Sequence, residues 1–258
     1  MTNKEMLCTA LKQSALELNC TVDDLTRGKS KAVISRAAEG ARKYLSLPFY
    51  CQLVSYGSGI VASVNEEIYA DAEAYIEKYA PEHCFETPNM LVLQSALERR
   101  GMSACFMAEY WLCDTDAIRM IDCGYELRLL TAEDFAPLYT PQWSNALCEK
   151  RKELDVLGIG AYDGEKLVGL AGCSTDCESM WQIGVDVLPE YRRMGIASSL
   201  TSNLAIEIIE RGKVPFYCCA WSNLKSVKNA LRSGFVPGWV EMTVKDSDTV
   251  NKLNKQAL

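Results

Sequence analysis

Residues 181–200 read WQIGVDVLPEYRRMGIASSL, and the stretch divides at Pro189. Gln182 to Leu188 has the composition of a strand, and Glu190 to Met194 makes a short basic turn. A helix is expected from about Gly195, because Ile196, Leu200, Leu204 and Ile208 recur at four-residue spacing as far as Arg211 and Gly212. The first turn of any helix leaves four backbone N–H groups without partners at the positive end of the helix dipole, so a phosphate placed there is held by main chain alone. Close approach requires residues without bulk, and Gly195, Ala197 and Ser198 are small at that point. Arg192 and Arg193 add positive charge just ahead of the helix.

Outward from this junction, Pro215 to Ala220 reads as a second buried strand, followed by Asn223-x-x-Ser226 and a helix closed by Gly234-Phe235. Upstream, Leu154 to Tyr162 and Leu167 to Cys173 flank the turn Asp163-Gly164-Glu165-Lys166 and predict a hairpin. Glu126 to Leu130 is a short strand, and Thr131 to Asp134 is expected to cap a helix with acids in its first turn. The first half predicts helices over Lys4–Leu18, Lys31–Leu45, Glu66–Tyr79 and Pro88–Arg100, and Thr21-x-x-Asp24 caps a further short helix. Strands are expected at Phe49–Tyr56, Ile60–Val64 and Met102–Cys113. The Gly57-Ser58-Gly59 between the first two reads as a turn, since no helix follows it and no lysine accompanies it. The pattern changes between Asp114 and Gly124, which gives an N-terminal α/β extension over 1–122 and a second domain over 123–258. Trp239–Val244 should be the last strand, paired with Phe235–Pro237 or across the sheet, with a polar tail from Asp246 expected to fray.

A chain of 258 residues with 48% hydrophobic content builds a folded core, as one large domain or two of ordinary size. The net charge is −7, and residues 1–125 carry 12 basic against 17 acidic side chains. Such a surface repels polyanions, which argues against nucleic acid and anionic membrane and mildly favours a cationic, amine-bearing small molecule. The N-terminus is an amphipathic helix without an apolar signal core, and no segment reaches membrane-spanning length, so the expected compartment is the reducing cytoplasm. There the twelve cysteines act as free, small hydrophobes. With no C-x-x-C and His83 the only histidine, no metal is expected, and His83 is read as a surface or loop residue.

The order R-x-x-G-x-A after a strand, V-x-P at Val187 to Pro189, Asn223-x-x-Ser226 and Gly234-Phe235 resembles the acyl-CoA-binding elements of the GNAT-type N-acetyltransferase superfamily. The resemblance covers roughly residues 125–245, including the opening Arg128-x-Leu130-Thr131-x-Glu133-Asp134. It implies a mixed α/β (α+β) sheet with a splayed central strand pair flanked by helices, preceded by a smaller helix-rich N-terminal α/β domain. It further implies acetyl-CoA as cosubstrate and transfer of its acetyl group to a primary amine of a small molecule. By the same resemblance the pantetheine arm lies against exposed main chain at Val185 and Val187, and the Val187 N–H is the donor nearest the acetyl oxygen. The pyrophosphate rests on the loop formed by Arg192, Arg193, Met194, Gly195, Ile196, Ala197 and Ser198, and Asn223 and Ser226 contact the CoA arm.

Two positions depart from the family pattern. Many members carry a tyrosine seven residues after the asparagine, placed to protonate the leaving thiolate, and here that position is Ala230. Water, Tyr217 or Tyr191 is left for that task. The positions that often hold a base are Ile183 and Cys218. Asp186, an acid within an apolar strand, is therefore the first candidate for a catalytic carboxylate, against its alternative as an acceptor for N–H groups of a neighbouring loop. Glu178 is the second candidate, and Trp221 could wall the acyl pocket. A non-catalytic acyl-CoA-binding or regulatory module stands as the rival, and the N-terminal half is assigned to the acceptor pocket or to a homodimer contact.

Overall fold

The computed structural model describes residues 1–256. In chain order the helices and strands are α1 (Asn3–Leu18), α2 (Val22–Thr26), β1 (Lys31–Ile34), β2 (Cys51–Ser55), β3 (Ile60–Val64), α3 (Tyr69–Lys78), α4 (Thr87–Glu98), β4 (Met102–Cys113), β5 (Glu126–Thr131), β6 (Asp155–Asp163), β7 (Lys166–Ser174), β8 (Met180–Val187), α5 (Ile196–Glu210), β9 (Val214–Cys219), α6 (Leu224–Arg232), β10 (Phe235–Asp246) and α7 (Ser247–Gln256). Contacts divide the chain into two compact units, one of Met1–Thr9 with Tyr110–Pro237 and one of Ala10–Glu109 with Gly238–Leu258. This division differs from a boundary at 122, which falls inside the unit that contains Tyr110–Pro237.

That unit carries the strand order β4-β9-β8-β7-β6-β5. β5, β6, β7 and β8 are antiparallel neighbours, while β8 and β9 run parallel. α5 lies on one face of the sheet with its stripe Ile196, Leu200, Leu204 and Ile208 buried, as the four-residue spacing requires. The closeness of that packing is set at Gly169, where an added Cβ would come within 2.7 Å of Ile196 and 3.0 Å of Leu200. The opposite face is covered by Phe135, Trp143, Ala146 and Leu147, which pack with Leu170 and Leu188 into one apolar cluster. The helix expected after Thr131 is only a single 3₁₀ turn, Ala132–Asp134. Its capping box forms, with the Thr131 N–H donating to Asp134 Oδ2 at 2.8 Å. Pro137 and Pro141 then break the run into further short turns, since proline supplies no N–H to continue a helix.

The second unit is built on β1-β3-β2-β10. One face is apolar: Leu53, Ala62 and Met242 share a buried cluster with Ile76 of α3 and with Leu93 and Leu97 of α4. The alternate residues on the other face include the buried polar side chains of Gln52, Ser63, Glu241 and Thr243 beside Val54 and Val61. Arg42 is buried there between Glu17 and Glu241, at 2.6 and 2.7 Å, and Trp239 donates to Glu241 at 2.7 Å. Removing one partner from such a buried pair costs about 3–5 kcal/mol. Lys31–Ile34 is a strand, not the start of a helix to Leu45, because Val33 and Ile34 are β-branched and enter a parallel ladder with β3. The residues from Ser35 to Leu45 are non-helical, and Arg42 anchors them through its side chain and its own N–H to Glu17. Gly57-Ser58-Gly59 is the turn between the antiparallel β2 and β3. The last strand is longer than expected, Phe235–Asp246, and pairs with β2 over Val240–Thr243. The polar tail is the helix α7, whose first turn is held by Asp246 accepting from the Thr249 N–H at 2.8 Å.

Candidate functional site

The site follows from the parity of β8. The Leu188 N–H donates to Val168 O of β7 at 3.0 Å, so the main-chain groups of even-numbered β8 residues face β7. Ser179 O accepts from the Val214 N–H of β9 at 2.9 Å, so those of odd-numbered residues face β9. The β8–β9 ladder begins at Met180 and Val214 and ends at Ile183 and Tyr217, whereas β8 remains paired with β7 as far as Val187. Beyond Ile183 the two parallel strands therefore diverge. The N–H and C=O of Val185 and the N–H of Val187 face the divergence with no partner strand. The Val187 carbonyl is held by Arg192, whose Nε donates to it at 3.0 Å.

Past Val187 the chain makes a 3₁₀ turn, Pro189–Tyr191, and then reverses sharply into α5. Two residues of the reversal are left-handed, Arg193 at φ +70° and Gly195 at φ +82°. An added Cβ at Gly195 would meet nothing within 4 Å, so the backbone is open on that side. The first helical bond is Ser199 N–H to Gly195 O at 3.0 Å. Among the described residues, no side chain or carbonyl accepts from the amides of Arg193, Met194, Gly195, Ile196, Ala197 or Ser198. Arg192, Arg193 and Met194 are exposed, while Ile196 and Ser198 are buried under the helix. The result is a run of unpaired amides at a helix N-terminus with two arginines beside it, an arrangement suited to a phosphate group. Tyr125 and Tyr191 border it, edge to face at 5.9 Å.

On the other face of β8, Gly184 and Asp186 lie under the segment Ser144–Leu147. Both oxygens of Asp186 are engaged there: Oδ2 accepts from the N–H of Asn145 at 2.8 Å and of Ala146 at 3.0 Å, and Oδ1 accepts from Asn145 Nδ2 at 2.6 Å. The backbone of this segment is flush with the sheet. A Cβ on Gly184 would overlap the Asn145 carbonyl oxygen, and one on Gly172 would overlap that of Ala146. Asp186 thus occupies the position of a structural acceptor for loop amides, with three of its roughly four lone-pair directions used.

The remaining candidates are scattered. Glu178 is exposed, and it precedes the N-terminal end of β8. Met180 to Val187 spans seven residue steps, roughly 23 Å, so Glu178 and Val187 are not brought together. Asn223 caps α6, its side chain accepting from the Ser226 N–H at 3.3 Å. Tyr217, on the last paired rung, is buried. Burial pushes its phenol above the usual tyrosine range, partly offset by hydrogen bonds to Ser226 and Asn229. Tyr191 instead donates to Asp163 at 2.9 Å on the surface. Ala230 is fully buried, Cys218 receives Gln182 Nε2 at 3.5 Å, and Trp221 is 41% exposed in the turn before α6. Sequence reasoning did not find Asn145 or the two glycines beneath it. The available signal was glycine inside strand patterns, at 172 and 184, which marks a place where another backbone comes close.

The model of the GNAT acetyltransferases matches residues 108–237 of the chain. Among curated proteins none matches. A GCN5-related N-acetyltransferase-like protein from Streptococcus suis 89/1591 is a similar solved structure, at 17% identity over 64% of this chain and 74% of its own, with a TM-score of 0.43. An acetyltransferase from the GNAT family from Colwellia psychrerythraea matches at 14% identity, 60% of this chain and 62% of its own, with a TM-score of 0.43. The aminoglycoside N-acetyltransferase AAC(6')-Iy, solved in complex with CoA, matches at 19% identity over 43% of this chain and 88% of its own, with a TM-score of 0.34. The chain spans less than two thirds of the Colwellia structure's length. Among the described residues, no helix is long and apolar enough to cross a membrane, and no group of three or more histidine, cysteine or acidic side chains is arranged to hold a metal.

Proposed function

The chain belongs to the GNAT acetyltransferase family, and from that premise we propose that it moves an acetyl group from acetyl-CoA to a primary amine of a small molecule in the cytoplasm. The observation that carries the reading is the alignment of unpaired main-chain donors along one edge, from Val185 and Val187 on β8 to the amides of Arg193–Ser198. The pyrophosphate of acetyl-CoA rests on the amides from Arg193 to Ala197, with Arg192 and Arg193 supplying charge. The pantetheine arm runs beside β8 as a short extra strand would, and the Val187 N–H donates to the thioester carbonyl. Asn223 and Ser226 border the arm from α6. The amine nitrogen attacks the carbonyl carbon, the C–N bond forms and the C–S bond breaks. One proton passes from nitrogen to solvent, and one reaches the sulfur of the departing thiolate.

With Ala230 in place of the usual tyrosine, the phenol of Tyr217 is assigned the second proton. It stays protonated across neutral pH because burial raises it. Asp186 is committed to the Asn145–Ala146 backbone and Glu178 is remote, so the first proton leaves without a dedicated carboxylate. This economy of side chains also favours the second reading, a non-catalytic acyl-CoA-binding module. The two part in one assay. Both forms gain thermal stability from CoA, but only the transferase releases CoA thiol when acetyl-CoA meets polyamines, aminoglycosides, amino acids or peptide N-termini. Thiol release with none of them overturns the transferase.

A further inference from the structure

The carboxylate of Asp186 fixes more than the position of a loop. A carboxylate accepts and cannot donate, so the side-chain amide of Asn145 must turn its nitrogen toward Asp186, and it does, at 2.6 Å. Its Oδ1 is thereby aimed away from Asp186. Asn145 is exposed, and among the described residues nothing donates to that oxygen. Its rotation is locked, because the same carboxylate also holds the Asn145 and Ala146 N–H groups. Its distance from the sheet is set by Gly184, where any side chain would strike the Asn145 carbonyl. Gly184 is the first β8 residue past the last rung with β9, so the Asn145 backbone lies over β8 where the two strands begin to diverge. The Asn145 side chain thus presents an oriented acceptor, open to solvent, above this part of the sheet.

We propose that Asn145 Oδ1 receives an N–H of the acceptor amine, and that Asp186 is the positioning residue that holds it in place. The inference rests on the transferase reading above and names a part of its acceptor site. The attacking amine is neutral, with its lone pair toward the thioester carbon and its N–H bonds free to donate. As the C–N bond forms, the nitrogen gains positive charge and the N–H···O bond strengthens, so the contact favours the transition state over bound substrate. The ligand class is a primary amine whose nitrogen approaches from the face of the sheet covered by residues 143–147.

The test compares three proteins by CoA thiol release, using whichever amine of the panel above the unaltered protein acetylates fastest. Asn145→Leu keeps both backbone bonds to Asp186 and removes the side-chain acceptor. Asp186→Asn keeps an oxygen for the two backbone N–H groups but presents an NH₂ to Asn145, which turns its own oxygen inward to accept it. Both are expected to lower kcat/KM for the amine roughly 10- to 100-fold, the range for losing a hydrogen bond to a charged group. The KM for acetyl-CoA and the thermal shift with CoA should not change, a split that loss of loop packing alone would not produce. Amine kcat/KM within twofold of the unaltered protein in Asn145→Leu overturns the proposal. So does a parallel rise in the acetyl-CoA KM. If the unaltered protein releases no thiol with any amine, the proposal falls together with the transferase reading, and the missing wild-type signal identifies that case.

Discussion

Replacing Gly195 separates the physics of the loop from the chemistry it serves. Gly195 sits at φ +82°, and an added Cβ has nothing within 4 Å. The cost of a side chain there is conformational and not steric, about 1–2 kcal/mol for an L-residue in the left-handed region. Gly195→Ala and Gly195→Glu should therefore destabilise the unliganded protein equally, with a fall in Tm of about 2–8 °C at roughly 2–4 °C per kcal/mol for chains near this size. CoA binding separates them. At a CoA concentration of about 100 times Kd, the unaltered protein gains about 2.7 kcal/mol. A glutamate carboxylate about 4 Å from a phosphate charge costs about 4 kcal/mol at an effective dielectric of 20, close to three powers of ten in Kd. The same CoA concentration is then about one tenth of Kd, and the stabilisation drops below roughly 0.1 kcal/mol. The assay is thermal unfolding of each protein with and without CoA. A normal CoA shift in Gly195→Glu would refute the placement of the pyrophosphate. A Tm for unliganded Gly195→Glu far below that of Gly195→Ala would refute the claim that the position opens to solvent.

Further outcomes follow from the same geometry. Gly184→Ala forces a Cβ into the Asn145 carbonyl and should cost about 3 kcal/mol, the upper end of overpacking penalties, as read from the urea midpoint; a neutral substitution would mean that the Asn145–Ala146 segment is free to lift. Tyr217→Phe should leave the CoA shift intact and lower kcat for thiol release by roughly 100-fold or more if the phenol protonates the thiolate, and an unchanged kcat would pass that role to water. Asp155 is buried, and burial raises its carboxyl above the usual aspartate range despite bonds from the Cys148 N–H and Tyr139. The folded protein then holds more protons than the unfolded chain, so this group's contribution is complete below the unfolded pKa and is lost as pH rises through the folded one. Asp155→Asn should remove that part of the decline in stability as pH rises above about 4, the ordinary aspartate value, and urea titrations showing an unaltered slope would contradict the assignment.

The parts of the fold that were legible in the sequence are those where local pattern and tertiary need agree. The four-residue stripe of α5, the hairpin around Asp163–Lys166 and the capping pairs at Thr21 and Thr131 all formed where their residues predicted. Lys31–Leu45 misled because Val33 and Ile34 answer to a ladder with β3 that lies some thirty residues away in the chain, and no local period reports that. The region after Thr131 misled because a good cap says where a helix can start and not how far it runs; Pro137 and Pro141 decide that. At the site, the main-chain donors were readable because they need only a strand end, a glycine and a helix. Asp186 was readable as an anomaly, a charge in an apolar strand, but its partners come from Asn145 and Ala146, some forty residues upstream. Side-chain chemistry borrowed from a distant segment leaves no local trace except the two glycines that make room for it.

The claim on which all of this depends is that the amides from Arg193 to Ser198 receive the diphosphate of the coenzyme. Amide chemical shifts of the ¹⁵N-labelled protein during titration with CoA measure it at the atoms concerned. The account predicts that the resonances of Arg193, Met194, Gly195, Ile196 and Ala197 move together and saturate with the same Kd as the Val187 amide, while that of Glu178 stays in place. CoA binding that perturbs other segments and leaves those loop amides at their unliganded positions would contradict it.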